Sequence, residues 1–300
     1  MRATKPKVTH FTSLVRNDDA LELSAKLSDL SKTALGVVYG RVTYGKMVKP
    51  EIKDPLGQKF LRALEYKPVY HDAEANAFMQ IFAPLRTRVL DDIVAKFIKD
   101  NKGEVLVINL GCGLCTRYER LLASNKLDPK RTTWIDVDLP AMIELRESLW
   151  NAFSPGTMKL QIQIPSSIFQ SSWVKKAKKY ADKTTLIIAE GILGYYEPNE
   201  VKMFFEMMAH NFPEATILHN TIHTYHEKRE RAPSYKRPRH KWFVDSGKEV
   251  EQISSGFHLV KEVPFLDKRL LNMEMVSAES LALLDKFPKN YSIAVMLKHD

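Results

Sequence analysis

Cysteine is scarce in this sequence of 300 residues: there are two, Cys112 and Cys115, in one Cys-x-x-Cys segment. A tetrahedral zinc site would need two more ligands, and no second pair exists, so we predict no metal site. A redox function would require a helix amino terminus that lowers the pKa of one thiol, and this segment could supply one. We favour the plainer interpretation that both are small residues tolerated in a loop.

Long apolar runs are also missing. No stretch approaches the ~20 apolar residues of a membrane-spanning helix, and the first residues lead into no apolar segment of the secretory kind. We therefore expect a cytoplasmic protein with no membrane partner. The apolar fraction of 44% is sufficient for a sizeable core, and the length suits an α/β domain that carries a cap.

Acidic residues are outnumbered, 36 against 45 basic ones, which gives a formal net charge of +9. Part of the excess lies in a basic segment, residues 222–245, in which basic side chains are interleaved with aromatic ones. Its members are Lys228, Arg229, Arg231, Lys236, Arg237, Arg239 and Lys241, with Tyr225, Tyr235 and Trp242. Three interpretations are open, in order of preference: a solvated loop, a site for an acidic small molecule, and a surface for single-stranded RNA. We therefore do not expect a nucleic acid partner.

A buried strand followed by a glycine turn is the strongest positive signal. Residues 105–108 form a continuous apolar run that continues through Asn109 to Leu110, which is typical of a strand buried on both faces of a parallel sheet. Gly111 and Gly113 follow directly, and glycines there let the backbone turn tightly and approach a ligand. The arrangement predicts a nucleotide-like cofactor beyond the carboxyl end of the strand. Thr116 stands where the third glycine of a dinucleotide fingerprint would fall, which disfavours NAD.

The next predicted strand, residues 132–138, ends in an acidic residue. Asp138 follows Gly113 by 25 residues, about where a carboxylate at a strand end can hydrogen-bond a ribose diol. The alternative is a charge that stabilises the amino terminus of a helix opened by Pro140. The glycine turn upstream favours the ribose interpretation.

Helices and strands alternate along the rest of the chain, as in α/β proteins. Further strands are predicted at 160–164, 184–189, 215–221, 257–265 and 291–297. Helices are predicted at about 18–44, from 54 through 64, at 85–97, 117–127 and 200–211, and around 246–254.

Four separated blocks resemble the leucine carboxyl methyltransferase superfamily of class I methyltransferases, which use S-adenosylmethionine and include O-methyltransferases of polyketide pathways. The blocks are residues 31–35 with 54–56, 86–92, 109–114 with 137–140, and 189–195. The resemblance implies a Rossmann-like, seven-stranded, mostly parallel sheet with an antiparallel last strand and helices on both faces. It also implies a helical amino-terminal cap (1–84), a cofactor-binding domain (85–300) with the basic segment on the substrate side, and S-adenosyl-L-homocysteine as product.

The resemblance also assigns candidate site residues. It implies that Arg88, rather than Arg86, meets the methionine carboxylate, which a guanidinium fork suits; the alternative for either arginine is a solvated side chain. Further cofactor contacts are implied at Gly111, Cys112, Gly113, Asp136, Asp138, Leu139, Ser167, Ile168 and Glu190. Tyr195 would line the methyl pocket, and its alternative is a packing aromatic.

Two positions depart from the family pattern. The family usually has an aspartate where Cys115 stands, and another after the third strand, in the place of residues 165–168. The second aspartate typically contacts the adenine amino group. We expect Ser167 or a backbone group to take over this contact.

Methyl transfer from a sulfonium is an in-line displacement, so the enzyme must align the reacting atoms and exclude water. A carboxylate acceptor needs no base, whereas a hydroxyl acceptor needs one poised near neutral pH. Three histidines, His219, His223 and His226, lie at and after the end of the fifth predicted strand. We predict His223 as a substrate contact or base. The spacing of His219 and His223 also fits metal ligation, but without a carboxylate partner we favour ordinary histidines.

These observations predict an S-adenosylmethionine-dependent O-methyltransferase that acts on a carboxylate or hydroxyl of a small, polyketide-like and anionic molecule. A protein carboxyl-terminal methyltransferase is the alternative within the same enzyme class. From another class, a non-catalytic cofactor- or RNA-binding protein on this fold is supported by the departures at Cys115 and Ser167. An NAD oxidoreductase is opposed by Thr116.

Overall fold

A computed structural model describes residues 17–68, 73–231, 237–288 and 291–298. The strands of this part of the chain are β1 (Val105–Leu110), β2 (Thr132–Asp138), β3 (Gln161–Pro165), β4 (Thr184–Ala189), β5 (Thr216–Asn220), β6 (Phe257–Pro264) and β7 (Ser292–Lys298). They form one seven-stranded sheet in the order β3-β2-β1-β4-β5-β7-β6.

The sheet is parallel except at β7. β1 pairs in parallel with β2 and β4, and the parallel pairing continues outward to β3 and β5. β7 pairs antiparallel with β5 and β6. The predicted Rossmann-like sheet with an antiparallel last strand is therefore confirmed. The strand order reverses between β1 and β4, and open α/β sheets bind ligands beyond the strand ends at such a point.

Helices surround the sheet, and the chain order alternates between helix and strand from β1 to β5. The α-helices of the described residues are α1 (Asp18–Ala25), α2 (Asp29–Tyr44), α3 (Pro55–Ala63), α4 (Ala73–Asp100), α5 (Arg117–Ala123), α6 (Pro140–Phe153), α7 (Pro155–Met158), α8 (Ser171–Ala177), α9 (Pro198–Asn211), α10 (Glu227–Arg231), α11 (Gly247–Val250) and α12 (Ala278–Lys286). None of these helices combines the length and apolar composition needed to cross a bilayer.

The side chains of β1 divide between the two faces of the sheet, as the alternation of a strand requires. Val105 and Val107 pack into the core that α4, α5 and α12 cover. Leu106, Ile108 and Leu110 pack into the core on the other face, beneath α8 and α9. A third core joins α1, α2 and α3 to α6. All six residues of β1 are buried, which explains why five of them are apolar; the exception, Asn109, donates a hydrogen bond to Asp136.

Two amino-terminal predictions differ from the structure in detail. The predicted helix over 18–44 is divided into α1 and α2, because the Ser28 hydroxyl accepts a hydrogen bond from the Ser31 N–H (3.1 Å) and so begins a new helix. The predicted boundary between cap and domain, at residue 84, falls inside α4, which continues through Pro84. A continuous helix therefore connects the amino-terminal part to the sheet.

Candidate functional site

The glycine turn after β1 has a backbone conformation that favours glycine. Gly111 has φ +60° and Gly113 has φ +47°. A Cβ atom at Gly111 would stand 2.2 Å from Cδ1 of Ile192, and one at Gly113 would stand 3.0 Å from Cβ of Ala34. Carbon atoms normally approach to about 3.5–4.0 Å. Both backbone and packing therefore require glycine at position 111.

A cavity of about 790 Å³ lies at the carboxyl ends of β1, β2 and β4. Its volume falls within the roughly 300–1,000 Å³ that small-molecule sites occupy. Its walls come from the glycine turn and strand ends, from the amino-terminal helices and from the chain after β5. The predicted site residues that line it are Gly111, Cys112, Gly113, Asp138, Leu139, Ser167, Ile168, Glu190 and Tyr195.

Asp138 is tied to the backbone of the glycine turn. Its carboxylate accepts hydrogen bonds from the N–H of Gly113 (2.7 Å) and from the N–H of Leu139 (2.7 Å). Burial raises the pKa of the Asp138 carboxyl despite these two bonds. Because the bond to Gly113 crosses from the end of β2 to the turn after β1, Asp138 does more than stabilise the start of α6.

Asp136 does not line the cavity, which corrects its prediction as a cofactor contact. It lies two residues before Asp138, deeper in β2, and is 1% exposed. Its carboxylate accepts hydrogen bonds from the side chains of Asn109 (2.8 Å), Trp134 (3.1 Å), Arg146 (2.8 Å) and Gln163 (3.0 Å). With these four donors around it, Asp136 joins the strands to α6 and has no open side towards a ligand.

Arg86 lines the cavity and Arg88 does not, so the predicted choice between these arginines is corrected. Nε of Arg86 lies 2.9 Å from Oε1 of Glu190. Arg88 instead donates from Nε to Oδ2 of Asp92, one turn along α4, at 2.8 Å. Residues two apart on a helix point about 200° apart around its axis, so only one of the pair can face the cavity.

Glu190, at the end of β4, lies between two arginines. Nη2 of Arg117 is 2.7 Å from Oε2 of Glu190, on the side opposite Arg86. Burial alone would raise the pKa of the Glu190 carboxyl, but the guanidinium groups of Arg117 and Arg86 lower it to about 2. Glu190 is therefore ionised at physiological pH and fixed in position.

Glu190 belongs to a buried network that joins four arginines and three carboxylates. The members are Arg41, Arg86, Arg117 and Arg120, with Asp54, Asp91 and Glu190. The network links α2, α4 and α5 to the end of β4 and carries one more positive than negative charge. Its terminal members, Arg41 and Arg86, both line the cavity, so the excess charge is available to an anionic ligand.

A family model described as "Leucine carboxyl methyltransferase" matches residues 34–209. The matched stretch is more than half of the chain. The chain belongs to the leucine carboxyl methyltransferase family. This confirms the resemblance carried by the four sequence blocks.

Two methyltransferases with assigned names are similar to this chain in sequence. The S-adenosyl-L-methionine-dependent methyltransferase dpfgK of Gibberella zeae is 22% identical over 196 residues, which are 64% of this chain and 64% of the relative. The tetracenomycin polyketide synthesis O-methyltransferase TcmP of Streptomyces glaucescens is 23% identical over 197 residues, 66% of this chain and 67% of the relative. The chain thus spans less than two thirds of the length of the fungal relative. A solved methyltransferase domain of bacterial CtHen1 is 14% identical, with a TM-score of 0.48, over 72% of this chain and 100% of that domain.

The histidine predicted as a base, His223, does not line the cavity of this family member. Its Nδ1 accepts a hydrogen bond from the N–H of Tyr225 (3.0 Å) and lies 3.1 Å from Oδ1 of Asp245, so the ring caps a turn. His226 lines the cavity, and its Nε2 is hydrogen-bonded to the hydroxyl of Tyr291. His219 is fully buried in β5, and burial lowers its pKa to about 4. The prediction for His223 is therefore corrected.

The two cysteines line the cavity but are poorly suited to redox chemistry. Burial raises the pKa of the Cys112 thiol well above its usual range, which disfavours the reactive thiolate. Cys115 lies with its Sγ 3.6 Å from Nη1 of Arg117. Within the described residues, no group of three or more His, Cys, Asp or Glu side chains is placed to hold a metal ion.

The basic segment contributes to the cavity through fewer residues than its composition suggests. Arg237 and His240 line the cavity, whereas Trp242 is buried in the core. Four basic side chains, Lys228, Arg231, Arg239 and Lys241, are exposed. Tyr235 and Lys236 lie outside the described residues.

Sequence reasoning missed an ion pair in this segment. Nδ1 of His240 lies 2.8 Å from Oε1 of Glu230, and both residues line the cavity. The ring of His240 also stacks on Tyr195, with 4.3 Å between ring centroids. Glu230 lies in α10 and His240 follows ten positions later, a separation that matches neither one turn of a helix nor neighbouring positions of a strand. The one available signal was a single acid and a single histidine within a run of basic residues.

Proposed function

We propose that this chain is an S-adenosylmethionine-dependent O-methyltransferase whose acceptor is a small molecule. The observation that carries the proposal is that the glycine turn, Asp138 and the pair Arg86–Glu190 line one cavity. Family membership and the two named relatives, each described as a methyltransferase, support the same activity.

The residues present fit the cofactor by the chemistry of their donors and acceptors. The N–H of Gly113 holds one oxygen of Asp138, and a carboxylate oxygen has capacity for a further hydrogen bond from a ribose hydroxyl. Arg86 offers a guanidinium group to the methionine carboxylate, and the network behind it has an excess positive charge. In this proposal the adenine ring would lie against Ser167 and Ile168, which line the cavity, and residues 165–168 contain no acid.

When bound, the cofactor supplies a methyl group on a positively charged sulfur, which an oxygen nucleophile can displace in line. The chain itself has to hold acceptor and methyl carbon in line and keep water out. Glu190, fixed between Arg86 and Arg117, contributes a carboxylate to the cavity wall. Tyr195, packed on His240, forms part of the wall where the acceptor would lie.

The amino-terminal helices act in this proposal as a cap over the sheet. α2 brings Arg41 to the cavity, and Nε of Arg41 is 2.6 Å from Oδ2 of Asp54. The cap would extend through residue 84, to the middle of α4. It would exclude water from the reacting atoms.

The proposed acceptor is a polyketide-like small molecule with an anionic group. The named activity of TcmP supports a polyketide-like acceptor. Arg237 supports an anionic group because its side chain lines the cavity. The family description supports a protein carboxyl terminus as the second candidate acceptor.

Transfer of a radiolabelled methyl group tests this proposal. The protein is incubated with labelled cofactor and a whole extract of the source cells, and large and small molecules are then separated. Label in the small-molecule fraction is expected, and an Asp138→Ala variant should remove it. Label on protein would instead support the carboxyl-terminal alternative. A protein that binds S-adenosylhomocysteine in a calorimeter but transfers no label to either fraction would contradict the catalytic proposal.

A further inference from the structure

A buried carboxylate holds one histidine of the cavity in a defined orientation. Oε1 of Glu230 lies 2.8 Å from Nδ1 of His240, and Oε2 accepts a hydrogen bond from the backbone N–H of His240 at 2.8 Å. Glu230 is 5% exposed. Burial raises the pKa of the Glu230 carboxyl, but the hydrogen bonds from the side chain and backbone of His240 outweigh it and leave the pKa below its usual range. Glu230 is therefore a carboxylate that accepts both bonds.

This contact selects the tautomer of His240. A carboxylate accepts hydrogen bonds, so the proton of a neutral imidazole resides on Nδ1 and the lone pair resides on Nε2. No hydrogen bond to Nε2 is present among the described residues. The ring also stacks on Tyr195, and the carbonyl of Gly194 accepts the N–H of Lys241 at 2.8 Å, so both ring and backbone are held.

The other two histidines that follow β5 make different contacts. Nε2 of His226 is hydrogen-bonded to the Tyr291 hydroxyl. His223 does not line the cavity, and its Nδ1 accepts a hydrogen bond from the N–H of Tyr225. His240 combines a carboxylate contact at Nδ1 with a place in the cavity wall.

We infer that the acceptor group is a hydroxyl of the phenol or enol type and that His240 is the general base that removes its proton. The inference rests on the proposed function and deepens it. The hydroxyl proton moves to Nε2 of His240, and the acceptor oxygen forms a bond to the methyl carbon. The carbon–sulfur bond breaks, and its electron pair stays on sulfur. Glu230 is a positioning residue that stabilises the imidazolium produced.

The chemistry of the acceptor follows from the base. A carboxylate acceptor is already ionised at neutral pH, so its methylation requires no general base. A phenolic hydroxyl ionises near pH 10, as in tyrosine, which is within reach of an oriented imidazole. The cavity wall also carries the rings of Tyr66, Phe82 and Tyr195, which suit a flat aromatic acceptor.

The first test uses the labelled product of the wild-type protein with the small-molecule extract. The label is treated with mild base, which hydrolyses a methyl ester and leaves a methyl ether intact. Base-stable label is expected. Base-labile label would overturn the hydroxyl assignment and leave the proposed methyltransferase activity standing. Absence of label from a protein that binds S-adenosylhomocysteine would contradict the proposed function and this inference together.

The second test compares variants on the purified acceptor. His240→Gln should lower kcat by roughly 100-fold or more near neutral pH, because general base catalysis contributes about 10²–10⁴. Glu230→Gln should lower kcat by roughly 10-fold, since a glutamine no longer stabilises the imidazolium. His258→Gln, an exposed histidine on β6, is the matched control and should leave kcat unchanged.

The pH profile separates a base from a merely structural histidine. The His240→Gln rate should rise about tenfold per pH unit up to the acceptor's own ionisation, while the wild-type rate rises less steeply. Affinity for S-adenosylhomocysteine should stay the same. A loss in His240→Gln that is constant across pH, or a loss caused by weaker cofactor binding, would overturn the role of His240. So would a larger loss in His223→Gln than in His240→Gln.

Discussion

The proposed carboxylate contact of Arg86 can be tested against its neighbour on the same helix. Arg86→Ala removes a buried guanidinium that lines the cavity, but Oε2 of Glu190 keeps its partner Arg117 at 2.7 Å. The variant should therefore fold, while the network loses its excess positive charge. A hydrogen bond to a charged group contributes about 1.5–3 kcal/mol, which is roughly a 10- to 150-fold increase in Kd at about 1.4 kcal/mol per factor of ten.

Isothermal titration with S-adenosylhomocysteine measures this effect, and Arg88→Ala is the matched control. Arg88 pairs with Asp92, whose side chain is 45% exposed, and this pair lies away from the cavity lining. Loss of the Arg88 side chain should therefore leave Kd unchanged. Titration with 5′-methylthioadenosine, which lacks the carboxylate, should give the same Kd for Arg86→Ala and the wild type. Equal weakening in both arginine variants, or equal weakening for both ligands, would refute the contact between Arg86 and the carboxylate.

Three further predictions concern the strand ends and the core. Asp138→Asn should weaken S-adenosylhomocysteine binding by roughly 10-fold with an unchanged circular dichroism spectrum. An amide has one accepting oxygen and cannot accept hydrogen bonds from both backbone and ribose as a carboxylate does. An unchanged Kd would mean that Asp138 only stabilises the start of α6. Gly111→Ala should lower the thermal unfolding midpoint, since Cβ would meet Ile192 at 2.2 Å, whereas Gly103→Ala, with no atom within 4 Å, should not; equal midpoints would contradict the argument. His219 has a pKa of about 4 in the folded protein against 6.5 ordinarily, so unfolding free energy should fall as pH drops from about 6.5 to about 4, by up to about 1.4 kcal/mol per pH unit. A denaturation series should show a weaker pH dependence in His219→Leu, and an identical slope would mean that His219 does not titrate in this way.

The sheet was predictable because its signals are local. β2 and β4 match their predicted bounds, since a buried parallel strand is rich in apolar and β-branched residues and an acidic residue, Asp138 or Glu190, stands at its carboxyl end. α5 ends at Ala123, four residues before its predicted end, where Asn125 takes a positive φ of 55°. Asparagine tolerates this conformation better than most residues. The apolar spacing of the leucines, however, continues past Asn125, so the sequence gives no signal that the helix ends before it. Helix ends depend on such single-residue choices and are harder to predict.

The site was predictable only where its residues follow strands. Asp138 and Glu190 are each fixed by the strand before them, so their place at the cavity followed from the sheet alone. The choice between Arg86 and Arg88 depends on the rotation of α4 about its axis, which packing against the sheet decides. His240 and Glu230 lie ten positions apart and meet side chain to side chain, and a contact of that kind leaves no period in the sequence.

Thr116 replaces the third glycine of the dinucleotide fingerprint, and its side chain is needed by the buried ion-pair network. The sequence disfavoured NAD because Thr116 replaces a glycine, and the structure gives that side chain a structural role. Its hydroxyl donates to Oδ2 of Asp54 at 2.8 Å and accepts from Nη1 of Arg120 at 2.8 Å. Asp54 in turn accepts the N–H of Gly57 at the start of α3. A glycine at position 116 would leave these buried charged groups short of a partner, which costs about 1–3 kcal/mol per unsatisfied group. The same hydroxyl therefore ties the amino-terminal helices to α5, and the block at residues 54–56 is part of the site's support although it lies far from the strand ends in sequence.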